Sequence, residues 1–169
     1  MNIDELTVAE VGREADPIFA NLFELYMHDM AQWFLFESNN QGRYGYDHVP
    51  HWAAGDRFYL AHVGAQPAGF ALVGSAARWL DDASAHDVVE FFVLRRYRGT
   101  GVSEALARAI WDAYPGQWLV RVFEGNLPAV PFWRRAVSVY SAGACLEERR
   151  REHDRDWRFF TFTAPAAGA

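Results

Sequence analysis

Apolar residues recur along the chain in two rhythms, and the switch between them lays out the elements. Leu6, Val8 and Val11 stand among polar neighbours and predict a strand over residues 4–11. Asp16-Pro17 reads as a helix N-cap followed by a proline at the first helical position. Ile18, Leu22, Leu25, Tyr26, Met30 and Trp33 then follow at helical spacing, so an amphipathic helix is expected over 17–35. Residues 37–55, rich in Asn, Gly, His and Tyr, read as a long connection, and loops of that length in compact domains often carry function.

Arg57–Val63 and Ala68–Gly74 are apolar runs separated by Gly64-Ala65-Gln66-Pro67, which predicts a hairpin. Val88-Val89-Glu90-Phe91-Phe92-Val93-Leu94 is a nearly continuous apolar strand, expected to be covered on both faces, with one carboxylate inside it. After a glycine turn, Val102, Leu106, Ala109, Ile110 and Ala113 mark one face of a helix. Trp118–Phe123 reads as a strand, Pro128–Val137 as a short helix, the charged run Glu147–Glu152 as a solvated strand or turn and Trp157–Phe162 as a final strand, so one or two strands close the chain. The order predicts a layered α/β (α+β) sheet with helices on both faces. No repeat or linker divides it, so residues 1–163 read as one domain and 164–169 as a flexible tail.

Composition supports a packed protein. Of 169 residues, 51% are hydrophobic and 22% charged, and the 7 Trp and 13 Phe suit a sheet-rich core. No apolar run approaches the roughly 18 residues of a membrane span. The start, Met1-Asn2-Ile3-Asp4-Glu5, lacks the basic and apolar regions of a signal peptide, so a cytoplasmic protein is expected. Cys145 is the single cysteine and reads as a buried structural residue. The net charge of −6 argues against nucleic acid as the main partner. Charge is uneven: residues 1–85 carry −8 and residues 86–169 carry +2, with every cation an Arg. One reading is a solvated acidic face; another is a cationic ligand on the N-terminal half and an anionic one on the C-terminal half.

The strongest chemical signal is Arg95-Arg96-Tyr97-Arg98-Gly99-Thr100-Gly101-Val102-Ser103, where a buried strand runs through glycines into a helix. Amides at a helix N-terminus are unpaired and lie at the positive end of the dipole, so an anion such as phosphate is their natural occupant. A P-loop is excluded because the chain has no Lys, and a dinucleotide fingerprint because Glu104 stands where its third Gly belongs.

Arg98-Gly99-Thr100-Gly101-Val102-Ser103 resembles the acetyl-CoA signature Arg/Gln-x-x-Gly-x-Gly/Ala of the GCN5-related N-acetyltransferases. Asn126-Leu127-Pro128-Ala129 with Phe132-Trp133 resembles that family's downstream Asn-x-x-Ala-x-x-x-Tyr segment, with Trp133 in the Tyr position. The element order also fits, so the resemblance covers nearly the whole chain. It implies a mixed, mostly antiparallel sheet of about six to seven strands. It further implies acetyl-CoA as co-substrate, no metal, and transfer to a small-molecule primary amine by direct attack in a ternary complex. A degenerate acyl-CoA-binding module and a protein N-acetyltransferase are the alternatives. On this resemblance, residues 98–103 hold the pyrophosphate, the backbone around Phe92 and Val93 grips the pantetheine arm, and Asn126 bonds the same arm.

Glu90 is the candidate base, since burial among apolar neighbours raises a carboxyl toward neutrality; a carboxylate paired with Arg or lying at a bulge is the other reading. His86 and Asp87 are weaker relay candidates. An indole is no usable acid, so Tyr140 is the nearest downstream hydroxyl for the leaving thiolate, with solvent as the alternative. For the acceptor, the first helix and its loop carry Tyr26, His28, Asp29, Glu37, Tyr44, Tyr46, Asp47, His48 and His51, an acidic and aromatic mouth suited to a cation. His48 and His51 read as loop histidines rather than metal ligands. Strand edges and abundant Trp leave room for a homodimer.

Overall fold

Both rhythms become real elements in the computed structural model, which describes residues 5–12, 15–44 and 55–166. The chain runs β1 (Leu6–Val11), α1 (Asp16–Met30), β2 (Arg57–Val63), β3 (Gln66–Ser75), β4 (His86–Val93), α2 (Val102–Ala113), β5 (Gly116–Phe123), α3 (Ala129–Tyr140), β6 (Cys145–Glu152) and β7 (Arg155–Ala164). The strands make one seven-stranded sheet in the order β1-β2-β3-β4-β5-β7-β6. Only β4 and β5 pair in parallel; the other neighbours are antiparallel.

Helices cover both faces, as the continuous apolar run of β4 requires. On one face, Phe19, Leu22, Phe23 and Met27 of α1 bury Phe58, Leu60, Phe70, Leu72 and Phe92. On the other, Leu106, Ile110 and Trp111 of α2 and Trp133 and Val137 of α3 pack on Val73, Val88, Trp118, Val120 and Phe160. Phe70 and Leu72 are completely buried, and truncating either side chain to Ala costs about 3 kcal/mol or more. Cys145 packs against the second core at the start of β6.

Several boundaries differ from the sequence reading. Asp16 is the first helical residue and Ala15 the cap, so Pro17 follows one position later than expected. Helix α1 stops at Met30: Trp33 and Phe34 both donate to the Met30 carbonyl at 3.0 Å, and Arg155 Nη1 takes the Trp33 carbonyl at 2.8 Å. The hairpin turn is shorter than expected, because Gln66 and Pro67 already belong to β3 and Gly64 supplies the positive φ of +58°. The charged run Glu147–Glu152 lies in β6, an edge strand that its side chains shield from further pairing. Ala164, assigned to the tail, is the last residue of β7, buried and paired with Gly116.

The parallel contact of β4 with β5 is brief, running from His86↔Trp118 to Val88↔Val120. Beyond it the strands part. The cause lies in the register of β4 on β3, where Leu72 opposes Glu90 but Val73 opposes Val88, leaving Val89 as an extra residue. Such a bulge bends and twists its strand, and here it does so at the residue where pairing with β5 ends.

Candidate active site

The parting of β4 and β5 opens a cleft of about 1020 Å³, lined by β4, β5, the end of α1, the start of α2 and the first turns of α3. Strand alternation decides which backbone groups face it. Leu94 donates its N–H to Ala68 on β3, whereas the Val93 carbonyl accepts from Arg98 Nε at 2.8 Å instead. The N–H and C=O groups of Val93 and, two residues back, Phe91 therefore point away from β3 toward the gap left by β5, and those of Phe92 point toward β3. The sequence reading assigned cofactor grip to Phe92 and Val93; the alternation gives the open amides to Phe91 and Val93, while Phe92 contributes its ring.

The same bulge aims Glu90. With Val89 inserted, Glu90 shares the α1-facing side of the sheet with Leu72, where the Tyr26 hydroxyl donates to its Oε2. Burial pushes the Glu90 carboxyl up to about 7, Asp87 adds to the rise, and the Tyr26 hydrogen bond and the Arg121 charge hold it back. The Tyr26 hydroxyl in turn is raised well above its usual value, by burial first and then by Glu90. Arg121, on the same face, is committed to Asp87 through Nη2 at 2.6 Å and Nε at 3.1 Å, and stacks 4.9 Å over Trp79. Asp87 is 2% exposed; burial raises its carboxyl against the pull of Arg121. His86 lies on the opposite face, packed 5.0 Å from Trp118, so the two relay candidates do not meet.

At the other end of the cleft, Gly101 adopts φ +95° and Gly99 φ +72°, conformations that favour glycine. The first bond of α2 runs from the Ala105 N–H to the Gly101 carbonyl, leaving the Val102, Ser103 and Glu104 amides without a backbone acceptor among the described residues. Thr100 Oγ1 donates to the Tyr97 carbonyl at 2.7 Å and steadies the turn. Gly99 and Ser103 line the cleft; Thr100, Gly101 and Val102 form the backbone between them. This free helix start fits a diphosphate, and the open β4 amides fit a pantetheine arm and thioester, so the residues present suit acetyl-CoA. Arg98 is less free than expected: Nε holds Val93 and Nη2 reaches Asp29 Oδ2 at 2.6 Å. Asp29 also takes Arg95 at 2.7 Å; burial would raise its carboxyl, but the Arg98 and Arg95 hydrogen bonds outweigh this and lower it. Expected to attract the acceptor, Asp29 instead ties α1 to the glycine loop.

Asn126 lines the cleft and caps α3 through its backbone carbonyl, which accepts from the Ala129 N–H at 2.9 Å. Trp133 is buried at the cleft wall, edge-on to Phe91 at 4.7 Å. Tyr140 does not reach the cleft. It lies seven residues beyond Trp133, about 10 Å along the helix, and donates to Asp112 at 2.8 Å beside Trp111. Tyr46, with Asp47, His48 and His51, lies outside the described residues. His28, Glu37 and Tyr44 are not among the cleft-lining residues; His28 and Tyr44 face each other at 6.4 Å.

One wall of the cleft is aromatic. Trp33 and Phe34 after α1, Phe123 at the end of β5 and Trp157 on β7 line it. Sequence reasoning missed these and Arg121, because they come from three separate segments, the stretch after α1, β5 and β7, which only tertiary packing gathers. No group of three or more acidic, His or Cys side chains able to hold a metal occurs among the described residues. No described helix is long and apolar enough to cross a membrane.

The family model described as Acetyltransferase (GNAT) family matches residues 21–137. A search of curated proteins finds no match. Among solved structures, the yncA protein of Salmonella typhimurium with its cofactor acetyl-CoA is similar with TM-score 0.66 at 9% identity, covering 98% of each chain. The spermidine N-acetyltransferase of Vibrio cholerae in complex with CoA and spermine is similar with TM-score 0.66 at 13% identity, covering 95% of this chain and 96% of that one. The ribosomal-protein-alanine N-acetyltransferase of Brucella melitensis gives TM-score 0.64 at 13% identity, covering 93% and 99%. At these identities the likeness is one of fold.

Proposed function

The chain belongs to the GNAT family of acetyltransferases, and from that premise we propose that it acetylates the primary amine of a small molecule by direct attack in a ternary complex, with Glu90 as the base. The observation that carries this reading is a carboxylate at the cleft, raised to about 7 and turned by a bulge to the face where the aromatic pocket lies. Acetyl-CoA, when bound, supplies a thioester whose acyl carbon becomes bonded to nitrogen as the carbon–sulfur bond breaks.

The chain's own groups do the rest. An alkylammonium of pKa about 10 must lose a proton to become nucleophilic, and ionised Glu90 accepts it directly or through one water. The Phe91 and Val93 amides are donors for the carbonyl oxygen, and a preorganised donor of this kind is worth about 3 kcal/mol of barrier. Gly99 to Ser103 hold the pyrophosphate on the amides opening α2, with Arg98 and Arg135 at the same mouth. Asn126 holds the arm. No cleft residue on α3 is an acid, since Trp133 stands there and Tyr140 is spent on Asp112; a thiol of pKa about 8.5 leaves as thiolate and takes its proton from solvent.

Trp133 favours one second reading, a module that binds acyl-CoA without turnover. Acetyl-CoA binding and thiol release measured together over an amine panel separate the two. The expected result is a thermal shift with acetyl-CoA and amine-dependent thiol release. A shift without release from any amine selects the binding module, and no shift at all removes the cofactor assignment.

A further inference from the structure

The cleft carries its charges in pairs, with one exception. Three carboxylates line it among the described residues: Asp29, Glu90 and Glu104. Asp29 is held by Arg95 and Arg98, and Glu104 by Arg135 at 2.8 Å. Glu90 alone takes no Arg and bonds only the neutral Tyr26 hydroxyl. A polycation entering this cleft finds one carboxylate, and each further ammonium group would lose water with nothing to replace it.

Beyond the carboxylate the wall is built of rings. Phe34 meets Phe123 at 5.1 Å and Trp157 at 6.2 Å, and Phe123 meets Trp157 at 5.8 Å. All three rings line the cleft. The cluster is fixed from behind by Arg155, which lies 4.6 Å over Phe34 and 5.3 Å over Phe123. A second cation placed against these rings would meet the guanidinium already there, whereas a neutral aromatic body would not.

Resting on the acetyl-transfer reading above, we infer that the acceptor is a monoamine with a flat aromatic body, its amine at Glu90 and its ring against Phe34, Phe123 and Trp157. Ring contact gives such a substrate binding that an alkylamine cannot match.

The test uses the full chain with tryptamine, n-butylamine, spermidine and an Ala-initiated peptide. Thiol release is followed with acetyl-CoA present, and binding is followed by calorimetry without it. The expected result is a kcat/KM for tryptamine at least about tenfold above the other three, with the same order in the calorimetric affinities. Phe34→Ala should raise KM for tryptamine by about tenfold and for n-butylamine by clearly less, so that the preference for tryptamine shrinks; an equal loss for both amines would overturn the inference. Spermidine, n-butylamine or the peptide equalling tryptamine, with thiol still released, overturns the inference and leaves the transfer reading intact. If no amine releases thiol, the transfer reading falls, and the calorimetric order alone decides whether the cleft selects aromatic monoamines.

Discussion

Glu90 gathers the chemistry of this protein at the scale of one residue. A carboxyl raised to about 7 from an ordinary 4.5 is ionised often enough at neutral pH to accept a proton and basic enough to hold it. Glu90→Gln should lower kcat by about 10²-fold or more with the acetyl-CoA Kd unchanged. The wild-type kcat/KM for the amine should fall as pH drops below about 7 and that limb should vanish in the variant. Stability moves the other way. The folded protein binds this proton more tightly than the unfolded chain, so the associated stability is full below about 4.5 and lost as pH rises through about 7. Glu90→Gln cannot ionise, so its Tm relative to wild type should be higher at pH 8 than at pH 5; an equal difference at both would mean the carboxyl is not raised. The carboxylate was legible in the sequence as a polar break in an apolar strand. Its hydrogen bond from Tyr26 was not, because that partner lies 64 residues away on α1.

Elements set the next scale, and two irregularities matter more than the regular structure around them. The extra residue Val89 turns Glu90 to the α1 side and ends the pairing with β5. The glycine turn before α2 needs left-handed φ at Gly99, where an added Cβ would touch nothing within 4 Å. Substitution there costs backbone conformation rather than space, about 1 kcal/mol for Ala. Asn tolerates that region better, so Gly99→Asn should lose less Tm and less acetyl-CoA affinity than Gly99→Ala, by thermal shift with and without the ligand. The reverse order would show that crowding, not φ, selects glycine. The turn was readable from Gly-x-Gly between strand and helix. The bulge was open only as an alternative reading of Glu90, since a register slip leaves no mark of its own in composition.

Across the whole molecule, charge and aromatic rings work between segments far apart in the chain. The acidic bias of residues 1–85 is partly consumed inside the fold: Asp29 neutralises Arg95 and Arg98 of the other half instead of waiting for a cationic ligand. Arg155 on β7 clamps the segment after α1 through the Trp33 carbonyl and the Phe34 ring. Arg155→Met should therefore raise KM for the amine about tenfold, leaving the acetyl-CoA Kd unchanged, as a steady-state and a binding measurement together would check. An equal loss for both ligands would place Arg155 in general stability. The six described Trp residues leave no exposed indole for a partner surface; Trp111, Trp118 and Trp133 are core residues.

By itself the sequence determined most of the element order, the two-sided cover of the central strand, the glycine turn into α2 and the carboxylate inside β4, because each follows from periodicity or spacing within some twenty residues. Only the tertiary structure decided which amides of β4 stay open, that Arg98 and Asp29 hold each other, that Tyr140 turns away, and that Trp33, Phe34, Phe123 and Trp157 line one pocket. Those depend on register and on side chains meeting across the sheet. Local pattern cannot encode such meetings, since a shift of one residue sends every side chain of a strand to the other face.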